Sequence, residues 1–108
     1  MPREISASDL AARLREGKAT VVVDVREDWE RAICALPNDT HVPLHSLVAR
    51  AGEIVPPKDG AVVIYCHAGV RSWMAAQYLE HVGLKDVLSL AGGIDAWSVE
   101  VDPKVARY

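Results

Sequence analysis

Ala61-Val62-Val63-Ile64-Tyr65-Cys66-His67-Ala68-Gly69-Val70-Arg71-Ser72 is the stretch that decides the fold. Its first five residues are apolar without a break, the pattern of a central strand of a parallel sheet, covered on both faces. Gly69 interrupts the run. From Ser72 to Val82, Ala75, Tyr78, Leu79 and Val82 then recur on one stripe, and Gly83 follows as a helix stop. Working outward, Thr20 to Val25 repeats the buried-strand pattern, Val87 to Leu90 supplies a third strand, and His41-Val42 a weak fourth. Helical patterns separate them. Ser6 with Asp9 reads as a capping box ahead of Ala7, Leu10, Ala11 and Leu14, with Gly17 as the stop. Leu47, Val48, Ala51 and Val55 predict an amphipathic helix ended by Pro56-Pro57, and a short helix around Ile94 to Val99 follows Gly92-Gly93. Strands alternating with helices of this length make an α/β fold with a mainly parallel sheet. Ligands of such sheets sit beyond the carboxyl ends of the strands, which is where Cys66 falls.

A cysteine at a strand end, followed by a tight turn into a helix, lies where backbone N–H groups converge and where the helix N-terminus favours negative charge. That field favours a thiolate over a thiol. Gly69 gives the loop the freedom to curl around Cys66, and Arg71 adds a planar cation suited to a tetrahedral oxyanion. The residues describe a nucleophilic thiolate beside an oxyanion site. The alternative for Cys66 alone is a small buried hydrophobe.

Composition narrows the setting. The chain has 108 residues, half of them apolar, a formal charge of −3 and two cysteines. One domain spanning residues 1–108 is expected. Two thiols are too few for a disulfide scaffold. No basic run suggests nucleic acid, no apolar run of about 18 residues suggests a membrane span, and MPREISASDL lacks the apolar core of a secretory signal. A soluble cytoplasmic domain, a monomer or weak dimer, is the expectation. His41 and His45 are separated by Pro43, which breaks the helix that would align them, and no zinc spacing exists, so no metal site is expected.

Several segments together resemble the rhodanese (sulfurtransferase) family over essentially the whole chain. They are Asp24-Val25-Arg26-Glu27, Trp29-Glu30, Val42-Pro43-Leu44, the Cys66 to Arg71 loop, and Leu90-Ala91-Gly92-Gly93-Ile94-Asp95-Ala96-Trp97. The resemblance implies a five-stranded, mainly parallel sheet with helices on both faces, Glu4 to Ser6 contributing the extra strand. It implies that Cys66 takes a sulfane sulfur from thiosulfate or a persulfide donor and passes it to cyanide, a small thiol or a sulfur-carrier protein. His67, Ala68, Gly69, Val70 and Arg71 would bind the donor and the persulfide. No cofactor is implied. Arginine five positions after the cysteine matches sulfurtransferases. The related phosphatases and arsenate reductases place it one position later, where this chain has Ser72. A phosphatase or arsenate reductase, and a non-catalytic docking module, are the alternative functions.

By the same resemblance Asp24, Arg26, Glu30, Ser72, Gly92 and Gly93 support the site, the glycines by letting the chain pass close to it. Trp29 and Trp97 read as packing residues and Cys34 as an incidental thiol, with a resolving role for the persulfide as its alternative. His67 is expected at the surface. The tail Val101 to Tyr108 is expected to be a surface strap, with a weak similarity to rhodanese domains that follow ubiquitin-activating-like enzymes.

Overall fold

The computed structural model describes residues 3–108. Five strands, β1 (Arg3–Ile5), β2 (Thr20–Asp24), β3 (Thr40–His41), β4 (Ala61–Tyr65) and β5 (Val87–Leu90), form one sheet in the order β1-β5-β4-β2-β3. Every neighbouring pair is parallel. All five residues of β4 are buried, as its unbroken apolar run requires of a strand with neighbours on both edges and helices on both faces.

The helices are α1 (Ala7–Arg15), α2 (Asp28–Ile33), α3 (Leu47–Arg50), α4 (Val70–His81) and α5 (Gly93–Glu100). Ser6 Oγ accepts the Asp9 amide at 3.0 Å, the capping bond expected of α1. α1 and α5 cover one face, where Leu10, Ile94 and Trp97 meet Val63 and Tyr65. α3 and α4 cover the other, where Leu47, Ala75 and Leu79 meet Val23, Val62 and Ile64. The alternation of Val62 and Ile64 against Val63 and Tyr65 is the period-two placement of side chains on a strand.

Two expected helical stripes are corrected. The segment from Leu44 to Glu53 is a 3₁₀ turn, one α-turn and a second 3₁₀ turn. Ile54 lies seven residues, about two turns, beyond Leu47 and shares its buried face, while Val48 and Val55, each one position later, are 73% and 68% exposed. In α4, Val82 is the C-cap and is exposed. The chain reverses there, the Leu84 amide bonding the Leu79 carbonyl at 3.0 Å, and Leu84 packs where Val82 was expected. α2 was not anticipated. It is six residues long and begins with the Glu27 amide donating to Glu30 Oε1 at 3.0 Å, so the Glu-x-x-Glu spacing was its one sequence signal.

Candidate active site

Cys66 follows the last residue of β4, and the chain turns through His67, Ala68 and Gly69 into α4. Gly69 is the N-cap, at φ +108°, a conformation that side-chain-bearing residues avoid. The turn folds the chain back over the sulfur. Gly69 N–H and Ser72 N–H point to Cys66 Sγ at 3.1 and 3.3 Å, and Ser72 Oγ lies 3.4 Å from it. Cys66 is 1% exposed. The first amides of a helix have no acceptor within it, and here the third amide of α4 is directed to a sulfur.

The loop is held from behind. Cys66 and His67 carbonyls accept the Ile94 and Asp95 amides at 2.9 and 3.1 Å. This requires Gly93: a Cβ there would stand 2.3 Å from the His67 oxygen and 2.5 Å from the Cys66 oxygen. The expected close approach at Gly92-Gly93 is therefore made at Gly93, which is also the first residue of α5. Ser72 Oγ is 2.8 Å from Ser89 Oγ on β5 and 3.2 Å from the Gly69 carbonyl, tying the loop to the sheet. Ser89 was missed by sequence reasoning, although a serine inside Val87-Leu88-Ser89-Leu90 signals a buried hydroxyl in need of a partner.

Arg71 is placed beside the loop, but its fork is not free. Its Nη1 and Nη2 donate to Glu30 Oε1 and Oε2 at 2.6 and 2.7 Å. Glu30 is only 2% exposed. The paired Arg71 holds its carboxyl down to about 2, burial opposing. The hydrogen bonds that Arg71 donates to Glu30 raise Arg71 in turn, burial opposing and the Glu30 charge adding to the same direction.

Asp24 and Arg26 are fully buried and paired twice, at 2.9 Å each. Arg26 also donates to the Cys34 carbonyl at 2.7 Å and to Tyr108 Oη at 3.0 Å. Burial works against the Arg26 charge, and the bonds to Asp24 and Tyr108 outweigh it. Arg31 bridges Asp24 and Asp39 at 2.9 and 2.6 Å, and Tyr65 donates its hydroxyl to Asp39. Arg31, Asp39 and Tyr65 were not anticipated as members of this cluster. Their contacts join residues far apart in the chain, and no local pattern marks them.

Tyr108 was also missed. Its ring stacks on His67 with centroids 4.1 Å apart, so His67 lies half-buried beneath it instead of free at the surface. Its hydroxyl donates to Glu30 Oε2 at 2.6 Å. Trp29 stands 62% exposed, edge-on to the same ring, and is not the packing residue expected, whereas Trp97 is buried. Cys34 is a free thiol at the end of α2, its sulfur 3.9 Å from Arg26 Nη1.

The fold and site define a parallel α/β domain with a cysteine cradled by amides at the end of a central strand. Residues 6–100 match the Rhodanese-like domain family, and the chain belongs to it. It is 41% identical to a sulfurtransferase of Allochromatium vinosum, across 98% of this chain and 97% of that one. It is 29% identical to the adenylyltransferase and sulfurtransferase uba4 of Ogataea parapolymorpha, covering 96% of this chain but a quarter of that protein. Among solved structures, a rhodanese-like domain protein from Staphylococcus aureus superposes with a TM-score of 0.81 at 30% identity, across 98% of both chains.

Proposed function

We propose that this protein is a rhodanese-type sulfurtransferase that carries sulfane sulfur as a persulfide on Cys66. The observation that carries the reading is the pair of amides, Gly69 and Ser72, directed at the Cys66 sulfur within a loop that reaches arginine at the fifth position. These donors favour an anionic sulfur without any rearrangement of the loop. The relatives named sulfurtransferases support the same class of activity.

The chemistry is two displacements. The Cys66 thiolate attacks the sulfane sulfur of thiosulfate or of a persulfide donor. The donor's S–S bond breaks, and sulfite or a thiolate leaves with the electron pair. The new persulfide lies against the Cys66 to Ser72 loop, with the Gly69 and Ser72 amides on its inner sulfur. A nucleophilic acceptor then attacks its outer sulfur and releases the Cys66 thiolate. Cyanide serves as acceptor in an assay, and a thiol or sulfur-carrier protein in a cell. The Ogataea relative, named for both adenylyltransferase and sulfurtransferase, supports a protein as the acceptor. Arg71 supplies the positive end of the donor site, braced by Glu30. Neither step calls for a metal or an organic cofactor, and the free thiols suit a reducing compartment such as the cytoplasm.

Ser72 bears on the phosphatase alternative. It occupies the position of the arginine in the longer phosphate loop, and its hydroxyl is bound to Ser89 and the Gly69 carbonyl. Intact-mass measurement after thiosulfate treatment without reductant tests the reading. A gain of one sulfur atom is expected in the wild type and in Cys34→Ser and is lost in Cys66→Ser. A wild-type chain that gains no sulfur from thiosulfate or any persulfide donor overturns it.

A further inference from the structure

We infer that Tyr108 is a positioning residue of the Cys66 site, acting through Glu30 on the charge that Arg71 presents to the sulfur. The inference rests on the Cys66–Arg71 loop being the working site, and it deepens that reading by adding a residue more than thirty positions downstream.

Three observations converge on it. The Tyr108 hydroxyl is both acceptor and donor: Arg26 Nη1 donates to it at 3.0 Å, and it donates to Glu30 Oε2 at 2.6 Å. The same Glu30 oxygen accepts Arg71 Nη2 at 2.7 Å. A continuous line thus runs from the fully buried Arg26, through Tyr108 and Glu30, to Arg71. The third observation is the ring itself, stacked on His67, the residue next to the nucleophile. Tyr108 is thus held by its ring on His67 and by its hydroxyl between Arg26 and Glu30, contacts that a passive tail does not need.

The physical consequence concerns the balance of the Glu30–Arg71 pair. A hydroxyl donated to a carboxylate draws off part of its negative charge. With Tyr108 in place, Glu30 holds the Arg71 fork while cancelling less of its charge, and an anion approaching Cys66 meets a net positive field. Without that hydroxyl, the carboxylate faces Arg71 with its charge undiminished. Arg26 Nη1 is then left with the Glu30 carbonyl at 3.4 Å and the Cys34 sulfur at 3.9 Å. Anionic reagents should lose their advantage at Cys66 and neutral ones should not.

Alkylation of Cys66 by iodoacetate, an anion, and iodoacetamide, its neutral counterpart, measures this field directly and requires no sulfur donor. The rates are followed at Cys66 by peptide mapping, so that Cys34 does not contribute. In Tyr108→Phe, which keeps the stack on His67, the iodoacetate-to-iodoacetamide rate ratio is expected to fall about five-fold, a part of the roughly ten-fold or more that one hydrogen bond to a charged group is worth, because the hydroxyl reaches Arg71 only through Glu30. In Arg71→Ala the ratio falls at least as far, and in Glu30→Gln, which removes the carboxylate through which Tyr108 acts, adding Tyr108→Phe produces no further change. An unchanged ratio in Tyr108→Phe, or equal slowing of both reagents, overturns the proposal and leaves Tyr108 a packing residue. Because alkylation does not depend on sulfur transfer, its failure is separable from failure of the sulfurtransferase reading, which the mass of the thiosulfate-treated wild type decides.

Discussion

β2 and β4 lie side by side with Asp24 opposite Tyr65, and the chain leaves both through a short turn into a helix. The two exits are made of different materials. After β4, the Cys66 sulfur is met by the Gly69 and Ser72 amides and the Ser72 hydroxyl. After β2, the turn is filled by side-chain charges, three of them buried and three half-buried. Asp24, Asp39 and Glu30 are joined to Arg26, Arg31 and Arg71, three carboxylates against three guanidiniums. The amide turn leaves its dipoles uncancelled and so can receive an anion, whereas the charged turn cancels itself and serves as a brace. Arg71 belongs to the first turn by sequence and to the second by its bonds, which makes it the place where they communicate.

If the charged turn is a brace, breaking it should cost stability first and chemistry second. Asp24→Ala leaves the buried Arg26 without its main partner. We expect a loss of about 3–5 kcal/mol in urea unfolding, the range for an uncompensated buried charge. A loss below about 1 kcal/mol would show that water or other acceptors replace Asp24 readily.

Acid separates the same two turns without mutation. Glu30 is lowered from 4.5 to about 2 by its bonds to Arg71, so the folded state binds its proton more weakly than the unfolded chain does. The resulting stabilisation is fully present above about pH 4.5 and is lost as pH falls through about 2, amounting to about 3 kcal/mol by linkage. Stability measured between pH 5 and pH 2 should decline, and Glu30→Gln should flatten that part of the decline. Equal slopes in the two proteins would transfer the acid sensitivity to other carboxylates.

The smallest stability effect is expected in the amide turn. Ser72→Ala removes a hydroxyl from Cys66, Gly69 and Ser89 but keeps the Ser72 amide on the sulfur. A loss of about 1–2 kcal/mol is expected, together with slower alkylation of Cys66. A variant as unstable as Asp24→Ala would erase the distinction between the turns.

The difference between the turns also explains what the sequence makes legible. The amide turn announces itself locally: a cysteine at the end of Ala61-Val62-Val63-Ile64-Tyr65, a glycine that must take positive φ, and a helix start within six residues. The parallel sheet is legible for the same reason, because an unbroken apolar run of strand length has few other uses. The charged turn is assembled from Asp24, Glu30, Asp39, Tyr65, Arg71 and Tyr108, and what joins them is the stacking of elements in space. Asp24, Arg26 and Glu30 stood out only through family resemblance, and the hydroxyl of Tyr108 had no sequence signal. The Leu47 to Ile54 segment failed differently. Two apolar pairs one position apart, Leu47 with Ile54 and Val48 with Val55, fit the same spacing, and only packing against the sheet selects the first.

The bonds from the Ile94 and Asp95 amides to the Cys66 and His67 carbonyls fix more than the position of the loop. A peptide group has two ends, and a half-turn of one plane would swing an oxygen toward the sulfur in place of an N–H. The Cys66 and His67 oxygens share their planes with the His67 and Ala68 amides, so with both anchored on α5 neither of these two planes can turn over without breaking a bond. The chain therefore enters the turn at Gly69 from two planes of fixed polarity, and the Gly69 amide reaches the Cys66 sulfur from a set direction.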